Sequence, residues 1–486
     1  MTISSARLLN GLSAGLPEVL VSGVEYDSRK VEKGNCFVAV KGFHVDGHAY
    51  VKDAIARGAS LVVADEGAVL ETPAGFPVAR VRDTRKELAR LAARYYDDPS
   101  AKIGVIAVTG TNGKTTTTYL IQNVLKAAGC SASRFGTIEY AFPDCAIPAP
   151  NTTPESADLQ KMFARAAEFS NPRCVMEVSS HGLALGRLDH TSIKGGVFTN
   201  LTQDHLDFHK TMEEYGRAKQ MLFKDFGLEY AVINLDDPAG ERWVAEGVNG
   251  KLVTYGSHPR AVVRLLRATT DFSGGHIALA TPKGEVALNI PLPGAHNIQN
   301  AMAAFSAGYA EGFAFDAIVK GIETAPPVPG RFEKVDVGQD FAVIVDYAHT
   351  DNALENVLKT ARGITKNRLI CVFGCGGDRD RTKRPKMGRI AADMADLVVV
   401  TSDNPRTEPP LRIIEEIMAG IPVQVRDRVT ALPEREEAIR HAVGIARTGD
   451  LVLIAGKGHE DYQIVGAVKH PFDDRKVAAN YLRSGN

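Results

Sequence analysis

The sequence predicts an α/β protein of three domains: an N-terminal α/β domain, a central P-loop-type domain on a parallel sheet, and a C-terminal Rossmann-like α/β domain. Three observations carry this. A chain of 486 residues is too long for one ordinary hydrophobic core. Short, continuously apolar runs alternate with helical patterns, as in buried parallel strands joined by crossover helices. Two breaks, Asp97-Asp-Pro-Ser100 and Ala325-Pro-Pro-Val-Pro-Gly330, interrupt that alternation. Proline blocks helix continuation and glycine frees the backbone, so the expected domains are 1–98, 99–328 and 329–486.

In the first domain, residues 36–40 and 60–64 read as strands. A helix over 85–96 places Leu88, Leu91, Ala92 and Tyr95 on one face, with Thr84 and Glu87 as its capping box. The second domain opens on Val105-Ile-Ala-Val-Thr-Gly-Thr-Asn-Gly-Lys-Thr-Thr116, a strand ending in a glycine loop, followed by a helical pattern from Thr117 to Ala128. Loop amides and a helix N-terminus offer N–H groups to an anion. Lys114 adds positive charge, and a threonine hydroxyl can hold Mg²⁺. Val108 stands where the first glycine of the usual P-loop would be. Further apolar runs end in polar clusters at Glu177-Val-Ser-Ser-His181, Asn200-Leu-Thr-Gln-Asp-His205, Asp346-Tyr-Ala-His349, Gly374-Cys-Gly-Gly-Asp-Arg379, Asp403-Asn-Pro-Arg406 and Gly456-Lys-Gly-His-Glu460. Open α/β sheets bind ligands beyond the carboxyl ends of their strands, where these clusters lie.

Composition excludes several classes. Basic and acidic residues number 57 and 58, which lacks the basic excess of a nucleic-acid-binding protein. Six cysteines are scattered without a CxxC pair. Cys371 and Cys375 read as core thiols, and the pattern fits a reducing compartment. No basic segment followed by an apolar run begins the chain, and no apolar stretch reaches the ~20 residues that span a bilayer. A cytoplasmic location without membrane insertion is expected.

Several residues could carry chemistry. Glu177 near a phosphate cradle suits Mg²⁺; the alternative is a strand-end carboxylate paired with an arginine. His205 and His209 imitate the ends of HExxH, but Leu206 occupies the position of the general base, which excludes a zinc peptidase. Lys219 falls on the apolar stripe of Tyr215, Leu222 and Phe226 in a helix opened by Thr211 and Glu214. Its amine either reaches the surface or is desolvated and neutral, able to add CO₂ and become a carbamate. Asn297 and Asn300, one turn apart, could read an adenine edge or cap their helix. Asp403 and Arg406 suit the ammonium and carboxylate of an amino acid, or form a plain Asx-Pro turn.

Taken together, these motifs resemble the Mur ligase family, ATP-dependent amide-forming enzymes of peptidoglycan synthesis. The carrying residues are Thr109-Gly-Thr-Asn-Gly-Lys-Thr-Thr116, Asn151-Thr-Thr-Pro-Glu155, Glu177 to His181, Asn200 to His205, Tyr215-Gly-Arg-Ala-Lys219, His296-Asn-Ile-Gln-Asn300, Gly330-Arg331, Asp346-Tyr-Ala-His-Thr350 and Gly456 to Glu460. The match is nearest to the enzymes adding the third amino acid, and Asp403-Asn-Pro-Arg406 resembles those that add meso-2,6-diaminopimelate rather than L-lysine.

The resemblance implies a ligase joining diaminopimelate to UDP-N-acetylmuramoyl-L-alanyl-D-glutamate through an acyl phosphate. It implies small-molecule substrates only, a monomer, and roles for particular residues. Gly110, Thr111, Asn112, Gly113, Lys114, Thr115 and Thr116 would hold the ATP phosphates, and Asn297, Asn300, Arg331 and Asp346 the nucleoside. Thr115 and Glu177 would hold one Mg²⁺; His205 and a carbamylated Lys219 would hold a second. Lys114, Glu177, His205 and Lys219 form the implied catalytic set. Ser28, His44, Asn151, Thr152, Thr153, Ser179 and Arg187 would bind the UDP-muramoyl dipeptide. Arg379, Asp403, Asn404, Pro405, Arg406, Gly456 and Glu460 would bind diaminopimelate. Leu185 stands where some relatives have glutamine, and Asp351-Asn352 where Pro-Asp is common. Folylpolyglutamate synthetases share the ATP motif but not the Ser28 region or Asp403-Asn-Pro-Arg406. A motor-type NTPase would need a Walker-B strand end with paired acids. A non-catalytic regulator would not need the full metal set.

Overall fold

The computed structural model describes residues 2–12, 15–42, 45–271 and 273–484, so His44 lies outside the described residues. The chain divides into two compact units, Met1–Val263 with Ala303–Gly321, and Arg264–Met302 with Ile322–Asn486. Among the described residues, no helix is long and apolar enough to cross a membrane.

The first unit holds a two-stranded pair, Ile3–Ser4 with Leu20–Val21, and two larger sheets. Strands Gly23–Glu25, Asn35–Val38, Leu61–Asp65 and Val78–Val81 pair in parallel, in chain order. Helix Thr84–Tyr95 buries Leu88, Leu91, Ala92 and Tyr95 against this sheet, as its periodicity predicts. Its cap differs from the expected Thr84: the Asp83 carboxylate accepts from the amides of Arg85 and Lys86. The helix begins one residue earlier than its apolar pattern, which brings those two amides within reach of Asp83. The Thr84 amide instead donates to Asp65. The first predicted break is a turn, with Asp97 and Asp98 both left-handed before a short 3₁₀ segment, Pro99–Lys102.

The larger sheet of this unit runs Ala146–Pro148, Glu139–Ala141, Ser131–Phe135, Pro172–Glu177, Gly104–Thr109, Gly195–Phe198, Tyr230–Asn234, Lys251–Gly256. Its last six strands are parallel, but the first two are antiparallel additions. The central sheet is therefore mixed rather than purely parallel. Ala146–Pro148 is exposed throughout and lacks the apolar run that marks a buried strand.

The second unit contains an antiparallel meander, Val263–Asp271, Gly274–Thr281 and Gly284–Ile290, and a six-stranded sheet. The order in that sheet is Glu333–Lys334, Ala342–Asp346, Leu451–Ala455, Leu369–Phe373, Leu397–Val400, Val429–Ala431, parallel except at the first pair. Helices Asp351–Ile364, Lys383–Met394 and Pro410–Met418 bury one face; Arg435–Ile445 and Asp474–Ser484 bury the other. This is the expected Rossmann-like layering. Strand Leu451–Ala455 sits between strands adjacent in sequence, which opens a crevice at the carboxyl ends. Cys371 and Cys375 lie in the core of this unit, as thiols packed among aliphatic side chains.

Candidate active site

The phosphate loop of the first unit follows the fully buried strand Gly104–Thr109, and its helix spans Lys114–Ala127. Gly110 sits at φ +152°, and a Cβ there would lie 1.9 Å from the Thr199 hydroxyl, so only glycine fits. The loop is braced from a distant strand end. Asn200 accepts from the Thr111 amide through its carbonyl (2.8 Å) and from the Asn112 amide through its side chain (2.9 Å), while the Thr199 hydroxyl donates to the Asn112 carbonyl (2.7 Å). Two loop amides are thus engaged within the protein.

Glu177 ends its strand with 1% exposure. Its Oε1 accepts from the Thr137 amide (2.8 Å); its Oε2 accepts from the Thr115 and Thr137 hydroxyls (3.0 Å each). All three donors are neutral, which removes the arginine-pair reading. A Cβ on Gly136 would lie 2.3 Å from Oε1, so this close approach of backbone to carboxylate also requires glycine. A buried carboxylate beside a threonine hydroxyl, with no cation among its bonds, is a donor set suited to a hard divalent cation. Among the described residues, no three His, Cys, Asp or Glu side chains converge as a ligand set. Phosphate oxygens would have to complete the shell, as Mg²⁺ prefers.

Helix Met212–Lys224 is capped by the Thr211 side chain, as predicted, and carries Lys219 inward. Lys219 is 1% exposed; its Nζ donates to the Gly110 carbonyl (2.8 Å) and lies 4.4 Å from the Tyr215 ring centre. Lys114 Nζ donates to the same carbonyl (2.9 Å) and to that of Thr111 (2.8 Å). Burial first, then the Lys114 charge, hold the Lys219 amine well below the usual lysine range, against an opposing pull from Asp204. The surface-reaching alternative is excluded by this burial. His205, in the left-handed region at φ +52°, stacks edge-on to His181 with ring centres 4.8 Å apart. Burial lowers its pKa, Asp204 opposes, and Lys114 and Lys219 lower it further. His181 is pushed down to about 4 by burial, then by His205 and His209.

Of the muramoyl-dipeptide candidates, Thr152, Thr153, Ser179 and Arg187 join this shell, and among the described residues no hydrogen bond ties Asn151 or Ser28 to it. Thr152 Oγ1 is 3.1 Å from Thr137 Oγ1. The Thr153 hydroxyl donates to the Glu177 carbonyl (3.0 Å) and accepts from the Ser179 amide (3.0 Å). Arg187 donates to the Thr153 carbonyl (2.8 Å) and pairs with Glu155, which also receives Arg85. Asn151 is exposed, its carbonyl held by the Tyr140 hydroxyl. Ser28 is buried at the start of a 3₁₀ turn capped by Asp27.

In the second unit, Arg331 lies over the Tyr347 ring at 4.8 Å, and Asp346 accepts from the amides of Phe332 (2.7 Å) and Ala348 (2.8 Å). Burial raises the Asp346 pKa, opposed by Arg331. Asn297 and Asn300 are buried; the Asn297 amide donates to the Pro293 carbonyl and its oxygen accepts from Asn300.

The same unit gathers Asp403-Asn-Pro-Arg406 and Gly456 to Glu460. Asn404 Nδ2 donates to Glu460 (3.0 Å), and Arg406 donates to the Gly377 carbonyl (2.7 Å). Arg379 and Arg406 both flank Gly376. The two strand ends are tied by one fully buried guanidinium: Arg435 donates to the carbonyls of Ser402 (3.2 Å) and Ala455 (3.0 Å) and pairs bidentately with Asp474 (2.7 Å). Reading by sequence missed Thr137, Asn200 as a brace, Arg435 and Lys457. Lys457, between two glycines at a strand end, was the one with a local signal.

Three family models match: Mur ligase family, catalytic domain, over 20–96; Mur ligase middle domain, over 108–308; and Mur ligase, glutamate ligase domain, over 330–458. The chain is 47% identical over 466 residues to UDP-N-acetylmuramoyl-L-alanyl-D-glutamate--2,6-diaminopimelate ligase of Syntrophomonas wolfei, covering 95% of each. It is 44% identical over 485 residues to the protein of the same name in Clostridioides difficile, covering 98% of this chain and 99% of that one. A solved structure with that name aligns at a TM-score of 0.71 and 33% identity, covering 100% of this chain and 99% of the other. A Mycobacterium tuberculosis folylpolyglutamate synthase complexed with ADP and AMPPCP shares the fold at a TM-score of 0.63 and 18% identity, covering 83% of this chain and 95% of that one.

Proposed function

Since the chain belongs to the Mur ligase family, we propose that it joins meso-2,6-diaminopimelate to UDP-N-acetylmuramoyl-L-alanyl-D-glutamate at the expense of ATP, in peptidoglycan synthesis. The observation that supports this most is the near-full-length likeness to proteins of that name, together with the Asp403-Asn-Pro-Arg406 loop meeting Glu460. In this reading residues 1–98 take the UDP-sugar, 99–328 the ATP and 329–486 the amino acid. The protein acts as a cytoplasmic monomer.

A carboxylate is a poor electrophile because its charge and resonance resist attack. Its oxygen must first displace ADP from the γ-phosphorus, giving an acyl phosphate; the amine then attacks the acyl carbon and phosphate leaves. Two anions meet in the first step. Lys114 neutralises part of that charge, and the amides of Gly113 to Thr116 at the helix N-terminus take the phosphates that Thr111 and Asn112 do not. Thr115 and Glu177 would hold one Mg²⁺, and His205 with a carbamate on Lys219 a second; held there, Mg²⁺ would supply positive charge to screen the approaching anions and the transferring phosphoryl group. Thr152, Thr153, Ser179 and Arg187 orient the muramoyl dipeptide, with Arg187 available to its carboxylate. Asp403 and Glu460 attract the amino acid's ammonium, and Arg379 and Arg406 its carboxylates.

The test is ADP release and amide formation with ATP, the UDP-linked dipeptide and either meso-diaminopimelate or L-lysine. Preference for lysine would overturn the reading of Asp403 to Arg406; no new amide with either would overturn the function.

A further inference from the structure

Lys457, inside the amino-acid cluster, is a charged side chain that is 0% exposed. Its Nζ reaches Asn404 Oδ1 at 3.0 Å, Glu460 Oε2 at 3.3 Å and Asp403 Oδ1 at 3.4 Å, with the Tyr462 ring centre at 5.8 Å. A lysine only donates, so it dictates what its neighbours present. Asn404 Oδ1 also accepts from the Ile464 amide (2.9 Å), which leaves Asn404 Nδ2 facing the Glu460 carboxylate. Lys457 and the Ile464 amide together orient the Asn404 side chain, and Lys457 draws Glu460 to it.

The charge count gives Lys457 a second consequence. Of the side chains proposed to touch the amino acid, Asp403 and Glu460 are anionic and Arg379 and Arg406 cationic, a sum of zero. Arg435 and Asp474 behind them cancel each other. Asp378 beside Arg406 and Lys383 beside Cys375 add one charge of each sign, and Lys457 leaves a single positive charge over. The attacking amine must be neutral, so reacting diaminopimelate, with two carboxylates and one ammonium, carries one negative charge. Reacting lysine, with one of each, carries none. A buried positive charge favours the first over the second.

We propose that Lys457 is a positioning residue that sets amino-acid specificity: it fixes Asn404 and Glu460 and biases the site towards an amino acid whose reacting form is a net anion. This rests on the assignment of this cluster as the amino-acid site. The unsubstituted protein is therefore assayed first. If it forms no amide with diaminopimelate, the assignment fails; if it does, the variants below judge Lys457 alone. Lys457→Met keeps the volume and removes the charge. The expected result is a KM for diaminopimelate raised roughly ten- to a hundredfold, with kcat reduced less than about fivefold, and a ratio of kcat/KM for diaminopimelate over L-lysine lowered by roughly tenfold or more. The pair Lys457→Met with Glu460→Gln restores the net charge without the lysine. Its KM values should stay high while the ratio returns to within about threefold of the starting value. A role in packing alone would lower the melting temperature and leave the ratio unchanged in both proteins, which overturns the proposal. If Lys457→Met shows no cooperative melt, Lys457→Gln, which keeps a donor towards Glu460 without the charge, decides: a ratio lowered by roughly tenfold supports the proposal and an unchanged one overturns it.

Discussion

Lys219 is expected to lose its charge and gain CO₂. Its Nζ and that of Lys114 bond the same carbonyl at 2.8 and 2.9 Å, so the two nitrogens lie no more than about 5.7 Å apart. At an effective dielectric constant near 20, two positive charges at that separation repel by about 3 kcal/mol. Burial adds to this penalty on the charged form. A carbamate reverses the sign: next to Lys114 it is attracted where an ammonium is repelled, which swings the local balance by several kcal/mol, on the order of twice that figure. Lys219→Ala should therefore reduce kcat by about a thousandfold, the scale of losing one electrostatic stabiliser in a dry site. A short carboxylic acid should restore part of the activity by supplying the missing anion. Incubation with ¹³C-bicarbonate should give one protein-bound carbonyl resonance, absent in Lys219→Ala. Full activity of Lys219→Ala without additive, or no labelled resonance in an active preparation, would refute this reasoning.

Three further predictions follow from single contacts. Thr137→Val removes one of three hydrogen bonds to Glu177 and keeps the backbone one; kcat should fall about tenfold and the Mg²⁺ requirement rise, and an unchanged Mg²⁺ titration would count against Glu177 as a ligand. Arg435→Ala strands the buried Asp474 and should cost about 3–5 kcal/mol in urea unfolding, most of it recovered by Arg435→Met with Asp474→Leu; a loss below about 1 kcal/mol for the single change would show the pair to be solvated. Glu25 is pushed up to about 7 by burial and then by Asp158, with Lys30 and Lys161 opposing and Asp27 adding. Its folded pKa lies above the unfolded one, so the native state binds more protons between those values and stability falls as pH rises from about 4.5 to about 7. After allowance for its partial exposure this is about 1–2 kcal/mol, and Glu25→Gln should gain that much at pH 8 and nothing at about pH 4 in thermal melts; equal curves at both would refute it.

Local chemistry wrote much of this molecule legibly. The phosphate loop and the strand-end clusters of the second unit each announce themselves within about ten residues, because period and turn chemistry are local properties, whereas the stripe that carries Lys219 left open whether its amine is buried or reaches the surface. The antiparallel strands at 139–148 and the meander at 263–290 did not, since short or half-exposed strands lack a continuous apolar run. Thr137 could not be read as a partner of Glu177 from 40 positions away, nor Arg435 as the tie between Ser402 and Ala455. The cap at Asp83 was obscured for a smaller reason: two good cap residues stand side by side, and only the actual helix start chooses between them.

The grip of Asn200 on a loop 88 positions earlier bears on how the protein comes off the ribosome. A nascent chain that has emerged only as far as the glycine loop and its helix has every residue of the phosphate loop and lacks the contacts from Thr199 and Asn200 that brace it. ATP can then reward only a chain whose strand Gly195–Phe198 has already docked. Truncations ending before Thr199 should bind no nucleotide in an equilibrium dialysis measurement, and tight binding by one of them would contradict this dependence.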